Sequence, residues 1–302
     1  MERIYDIMPI VSGICFGSAG IFVRELSENM NSTSIISSRI ILAIFLLGLW
    51  IAVNYPMYFR IKLKDSWIFA GAGILGTLGL NLCYNFSINE LSLSLAAVLI
   101  ALAPIFVIVF AFFLFGEVIS KKKIISIIFA LVGCALTSGV FENNTSMHWT
   151  WIGILAGSAS AVFYALYSIF SKVGMERRYP ALTITFYSML VIAITLLPFT
   201  QWENIANYVA ANPIRNTLFM VMHSLCTAVC PYAFYTIALD HMEAGKASIL
   251  CSCEPVAAML FGLFFFGEIP TVLSVTGLVI VLLALALLVL SDKKQAVMAR
   301  NE

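Results

Sequence analysis

Apolar runs of about twenty residues follow one another along almost the whole chain, and that pattern restricts the fold more than any single motif. A membrane-spanning helix needs roughly 20 predominantly apolar residues. Breaking the 302-residue sequence at its polar clusters leaves ten such runs, near 5–24, 33–53, 67–88, 93–115, 123–140, 151–171, 181–199, 215–238, 245–266 and 270–290. Little chain remains for anything outside a bilayer. Hydrophobic residues make up 61% of the sequence and charged residues 11%, against about 25% charged in an ordinary soluble domain. That is too few to cover a water-facing surface. A soluble enzyme, a disordered chain and a basic nucleic-acid binder are all excluded. The first run is too long for a signal-peptide core and lacks a small-residue cleavage site, so it is kept as a span. The five tryptophans (Trp50, Trp67, Trp149, Trp151 and Trp202) fall near proposed helix ends, where an interfacial belt would hold them. The expected fold is an all-α integral membrane protein with ten transmembrane helices.

Lys and Arg orient the spans. With the N-terminus inside, the inner segments hold 14 of the 17 basic residues: Arg3, Arg60, Lys62, Lys64, Lys121, Lys122, Lys123, Lys172, Arg177, Arg178, Lys246, Lys293, Lys294 and Arg300. The outer segments hold Arg24 and Arg215, and Arg39 lies within a span. Both termini are expected to be cytoplasmic, in the plasma (inner) membrane of a prokaryote. The seven cysteines (Cys15, Cys83, Cys134, Cys226, Cys230, Cys251 and Cys253) all lie inside apolar runs and lack the partners of a zinc site, so they read as buried free thiols.

An internal repeat organises the helices. Residues 84–117 align without gaps on 235–268 at a constant offset of 151, with nine identities among 34 positions. These are Tyr84/Tyr235, Ala96/Ala247, Leu99/Leu250, Pro104/Pro255, Phe110/Phe261, Phe113/Phe264, Phe115/Phe266, Gly116/Gly267 and Glu117/Glu268. A weaker echo pairs Phe16 with Phe163. The chain therefore divides into a first five-helix repeat at 1–140, a short external connector at 141–150, a second repeat at 151–290 and a cytoplasmic tail at 291–302. Five spans are an odd number, so the second half enters from the opposite side. Inverted-topology repeats are a hallmark of secondary transporters, with the substrate site at the midplane between the halves. Pro104 and Pro255, at matched positions near the middles of their spans, are expected to interrupt the backbone hydrogen bonding and act as hinges.

The two halves resemble EamA-type repeats of the drug/metabolite transporter superfamily. The resemblance covers nearly the whole chain. It is carried by Glu254-Pro255-Val256 leading to Phe266-Gly267-Glu268, by Ala103-Pro104 leading to Phe115-Gly116-Glu117, and by Arg39. It implies a ten-helix secondary carrier, and in many members an exporter of amino acids or related metabolites, without identifying the cargo.

Glu254 is the most informative side chain. A carboxylate at membrane depth costs several kcal/mol unless it faces a cavity, a partner or a proton donor. It reads either as a substrate-ammonium or proton-coupling site, or as a hydrogen-bond acceptor that pins the Pro255 break. Arg39, six residues into its span, is expected to snorkel to the outer surface; otherwise it would attract a substrate carboxylate or pair with Glu254. Arg24 and Glu25 read as interfacial. Thr77, Asn81, Tyr84, Asn85 and Ile88 share one helical face, and His223, Thr227, Cys230 and Phe234 share another, with Tyr235 beside it. The cavity candidates are Phe16, Asn81, Tyr84, Asn85, Tyr164, His223, Tyr235 and Glu254, with Tyr167 a further aromatic. His223 has a titration range suited to proton coupling, but its first reading is a structural hydrogen-bond donor. Small-residue stripes, Gly13-Gly17-Gly20 and Gly157-Ser160-Ala161-Ser168, are expected to let helices approach closely.

Two other functions would each need a motif of their own. An intramembrane enzyme or lipid-handling protein would need a catalytic constellation, and neither an HExxH nor a GxSxG motif is present. An ATP-driven pump would need a Walker A loop. Its closest match, Gly245-Lys246, is followed by Ala247 and has Asp240 where the loop needs glycine. The expected partners are a small-molecule substrate and membrane lipids, with a homodimer left open; neither nucleic acid, nucleotide, metal nor cofactor is expected. Uptake of a metabolite or vitamin stands as the alternative direction.

Overall fold

A computed structural model of the chain describes residues 2–115, 121–137, 150–242, 247, 250–251 and 253–298. Among these residues the backbone is helical almost throughout, with no strand. Among the described residues, seven helical stretches are long and apolar enough to cross a membrane: Tyr5–Ser27, Ser32–Asn54, Leu63–Glu90, Leu95–Leu114, Trp151–Glu176, Ala181–Phe199 and Pro213–His241. At the other three places where the sequence predicts a span there are shorter apolar helices, Ile124–Gly133, Glu254–Phe266 and Val272–Ala284. Gly116, Glu117, Trp149, Gly245 and Lys246 lie outside the described residues, as does nearly all of the expected connector.

The outer surface is what a bilayer requires. Large apolar side chains such as Phe45, Val53, Phe113, Leu155 and Phe264 are exposed, while serines, threonines and asparagines are turned inward. Trp50, Trp67, Trp151 and Trp202 are exposed near helix ends, where an indole can sit between lipid and water.

Many of the helices are not continuous. The first span is two helices, α1 (Glu2–Gly17) and α2 (Ala19–Ser27), offset at Ser18, whose hydroxyl turns back onto the Cys15 carbonyl at 2.6 Å. After α3 (Ser32–Asn54), the third span runs through α4 (Ser66–Ala70), a π-helical segment (Gly71–Leu78) and α5 (Gly79–Glu90). The fourth is split into α6 (Leu93–Ile100) and α7 (Ala103–Phe115). There follow α8 (Lys121–Thr137), α9 (Trp151–Glu176) and α10 (Ala181–Leu196). A short helix α11 (Trp202–Ala211) comes next, then α12 (Pro213–Ser224), a second π-helical segment (Leu225–Val229) and α13 (Cys230–His241). The last two helices are α14 (Glu254–Phe266) and α15 (Val272–Met298).

The 151-residue offset reappears in the backbone. Residues 74–78 of the first π segment correspond to the whole of the second, 225–229. Helix α7 corresponds to α14 at both of its bounds. Leu91 and Met242, which follow α5 and α13, share an extended conformation (φ −131°, ψ 170° and φ −147°, ψ 167°). The packing follows the same rule: α5 lies against α9 and α1 against α13, α6 and α7 lie against α9 as α14 does against α1, and α8 packs on α15.

The prolines sit differently from expectation. Neither interrupts a continuous helix. The chain already turns at Ala101-Leu102 and at Cys253, and Pro104 and Pro255 occupy the second position of the half-helix that follows. Proline is well suited there, because the first-turn N–H groups have no intrahelical partner. The sequence also gave no sign of α11, an amphipathic helix that packs Ile205 and Tyr208 over Leu26, Met30 and Ile35.

Close helix approach at the glycine stripe is explicit. A Cβ on Gly13 would stand 2.2 Å from the carbonyl oxygen of Cys251, and one on Gly17 would stand 2.7 Å from the Ala257 Cβ. Backbone cannot swing aside. Gly13→Val is therefore expected to cost about 1–3 kcal/mol, read as a lower apparent melting temperature. Gly48→Ala, whose Cβ meets only the ring edge of Phe186 at 3.0 Å, should change it much less.

Candidate functional site

The interruptions in the helices converge on one internal cavity. It is lined by Phe16, Ala19, Arg39, Leu80, Asn81, Tyr84, Ile100, Tyr164, Tyr232 and Glu254. Phe16 and Ala19 flank the α1–α2 offset, Ile100 closes α6, Glu254 opens α14, and Asn81 follows the first π segment. The non-atom space among these side chains totals about 330 Å³. It is narrow, and only a water-sized body fits freely within it.

Arg39 is buried at 3% exposure, which overturns the expectation that it snorkels. Its guanidinium is held by neutral groups: Nη1 donates to Thr227 Oγ1 at 3.2 Å and Nη2 to Asn81 Oδ1 at 2.5 Å. Among the described residues, Nε finds no partner and Arg39 makes no ion pair. The Ser224 hydroxyl anchors the Arg39 carbonyl at 2.8 Å. The Asn81 amide is oriented by opposite needs. Its oxygen faces the guanidinium, while Nδ2 donates to the Thr77 carbonyl at 2.6 Å and to the Tyr232 hydroxyl at 3.3 Å.

Asn81 and Tyr232 are themselves repeat counterparts, 151 residues apart. Two equivalent positions can touch only where they straddle the symmetry axis, so the pseudo-twofold axis of the chain passes between them. Tyr232 was not among the sequence candidates. The repeat offset applied to Asn81 would have found it.

Glu254 is 4% exposed and takes the first position of α14, where the positive end of a helix dipole favours a carboxylate. Tyr84 lines the cavity beside it, and among the described residues Oε1 has no hydrogen-bond partner. Its counterpart in the first repeat is Ala103, so the two halves present different chemistry to the cavity. Aromatic walls complete it: Phe16 meets Tyr232 edge-on at 5.0 Å and Tyr164 at 6.3 Å.

Six of the sequence candidates therefore come together: Phe16, Arg39, Asn81, Tyr84, Tyr164 and Glu254. Three do not line the cavity. Asn85 is buried apart from it. Tyr235 turns away to share a hydrogen bond with Ser168 at 2.9 Å and to pack on Tyr164 at 5.4 Å. His223 is 1% exposed and stacks on Phe22 at 5.1 Å. Among the described residues neither of its ring nitrogens has a hydrogen-bond partner. Six cysteines, Cys15, Cys83, Cys226, Cys230, Cys251 and Cys253, are free thiols, and Cys251 accepts from the Tyr164 hydroxyl at 3.4 Å. No metal-holding cluster occurs among the described residues.

A second polar cluster lies away from the cavity. Asp65 accepts from Arg177 and, at 2.6 Å, from the Tyr179 hydroxyl, tying the start of the third span to the loop between α9 and α10. Burial, followed by this hydrogen bond, holds the Tyr179 phenol above its ordinary pKa, so it remains a donor.

A model of the EamA-like transporter family matches the chain twice, at residues 3–139 and 151–290. The uncharacterized transporter YxxF of Bacillus subtilis is 26% identical over 289 residues, covering 93% of this chain and 88% of that one. The pseudopaline exporter CntI of Pseudomonas aeruginosa is 24% identical over 212 residues, covering 70% and 71%. A solved crystal structure superposes with a TM-score of 0.70 at 12% identity, covering 97% of this chain and 99% of that one.

The hydrogen bonds about Asn81 rank two substitutions. Tyr232→Phe removes one neutral partner and should cost about 1 kcal/mol, whereas Asn81→Leu strips an acceptor from a buried guanidinium and should cost about 3 kcal/mol or more. Thermal melts of the two purified variants test that order.

Proposed function

Because the chain belongs to the EamA-like transporter family, we propose that it is a secondary carrier for a small zwitterionic metabolite, an amino acid or a close relative, moved outward by alternating access around the central cavity. Members of the family and named relatives are transporters, not enzymes, and the integral-membrane character follows from the spans. The observation that carries the cargo class is the pairing of unmet charges. Among the described residues, Arg39 has a free Nε and no acidic partner, while Glu254, on the wall of the same cavity, has a free Oε1. A buried charge without a counter-charge is costly. A substrate carboxylate at Arg39 and a substrate ammonium at Glu254 would relieve both at once, with Phe16, Tyr84, Tyr164 and Tyr232 against its apolar part.

Two inverted five-helix halves would exchange conformations about the Asn81–Tyr232 axis, giving two states of similar energy. The breaks before Pro104 and Pro255 are the natural hinges. The exporting direction is supported by the named activity of the relative from Pseudomonas aeruginosa, and Glu254 is the candidate for proton coupling. The charge bias of the loops supports cytoplasmic termini.

Counterflow in proteoliposomes tests this. Labelled amino acids should accumulate against unlabelled cargo trapped inside. Arg39→Lys, which loses the planar fork, and Arg39→Met should lower exchange by at least about tenfold. Glu254→Gln should flatten the pH dependence. Unchanged exchange and pH profile in that variant would remove Glu254 from the coupling role.

A further inference from the structure

At the end of the molecule where α2, α5 and α14 finish, three segments meet on one ion pair. Arg24 Nη1 donates to Glu268 Oε1 at 2.5 Å, and Nη2 donates to the Leu91 carbonyl at 3.1 Å. The other carboxylate oxygen accepts the backbone N–H of Leu93, also at 3.1 Å. The ring of Phe266 lies 4.8 Å from the guanidinium carbon. The two side chains are about three-quarters buried, at 23% and 26% exposure. No sequence pattern announced this pair, because Arg24 and Glu268 are 244 residues apart.

The backbone is built to aim Glu268. Helix α14 ends on Gly267 in the left-handed region (φ 65°), which glycine adopts without a Cβ clash. The Glu268 N–H returns to the Gly262 carbonyl at 3.1 Å, and the Gly267 N–H to Leu263 at 3.2 Å. A Cβ on Gly262 would stand 2.7 Å from Glu268 Oε2. The run Phe266-Gly267-Glu268 is thus a turn that sends a carboxylate from the second repeat back onto α2 and the α5–α6 link of the first.

The same elements wall the cavity. Ala19 is the first residue of α2, Ile100 the last of α6 and Glu254 the first of α14, and all three line it. Separating α2 from α14 would open the cavity toward this end, and the ion pair opposes that separation. Another basic residue reaches a backbone carbonyl at the other end. Lys172, near the close of α9, donates to the Leu239 carbonyl at 3.4 Å near the close of α13, as Arg24 reaches the carbonyl just beyond α5.

We propose that Arg24–Glu268 is the latch that seals the cavity at this end, and that it breaks each time the carrier opens there. This rests on the alternating-access reading, but its test needs no cargo. The full-length protein is placed in nanodiscs, where both ends meet solvent, with Ala19→Cys as a reporter and the unmodified protein as background. The rate of reaction with a membrane-impermeant maleimide is then measured. Arg24→Gln and Glu268→Gln should each raise the Ala19→Cys rate about fivefold. The charge-swapped pair Arg24→Glu with Glu268→Arg should bring it back toward the starting value. Phe266→Leu, which removes only the ring beside the guanidinium, should give a smaller rise and serves if the charge variants fold poorly. Unchanged rates in the single variants, or a swap that reacts as fast as they do, would overturn the latch. A failure of counterflow alone would leave it standing.

Discussion

Inside a bilayer, backbone polar groups have no water to turn to, so every interruption of a helix must be answered by a neighbouring part of the chain. This protein concentrates its interruptions in one place. The offset at Ser18, the turn at Ala101-Leu102, the turn before Glu254 and the two π segments all border the central cavity or the side chains that line it. The answers are local and specific. Asn81 takes up the Thr77 carbonyl inside the first π segment, and Thr227 in the second bridges its own helix, at the His223 carbonyl, to Arg39. The cavity is thus the region where the helices are least regular, and its polar side chains stand where backbone needs partners.

Symmetry and asymmetry divide the labour there. The backbone repeats faithfully at an offset of 151, in the π segments, the extended caps and the paired half-helices α7 and α14. The side chains do not. Ala103 stands where the second half has Glu254, and Tyr84 faces the cavity while Tyr235 binds Ser168. A repeated backbone suits a molecule with two conformations of comparable energy. Unlike side chains on that backbone can hold one cargo in one orientation.

Much of this was legible in the chain. Apolar run length locates the helices, because spanning a bilayer leaves few alternatives. The matched Pro104 and Pro255 mark the correct places, although as the starts of half-helices rather than kinks; a proline pattern alone does not distinguish the two. Arg39 was misread because its depth depends on Asn81 and Thr227, which reach it from other helices. No spacing in the sequence shows that the His223 ring nitrogens lack a hydrogen-bond partner among the described residues. Tyr232 was hidden in plain view at the repeat position of Asn81. The Arg24–Glu268 pair was out of reach, because it joins residues from opposite ends of the chain.

Alternating access requires reciprocal motion of the two ends about the Asn81–Tyr232 axis. Spin labels at Glu28 and Ile269 report on one end, and labels at Lys121 and Glu176 on the other; all four positions are exposed. Double electron–electron resonance distances should show two populations at each pair, and adding cargo or changing pH should lengthen one while shortening the other. Single, invariant distances at both ends, or distances that lengthen together, would contradict it.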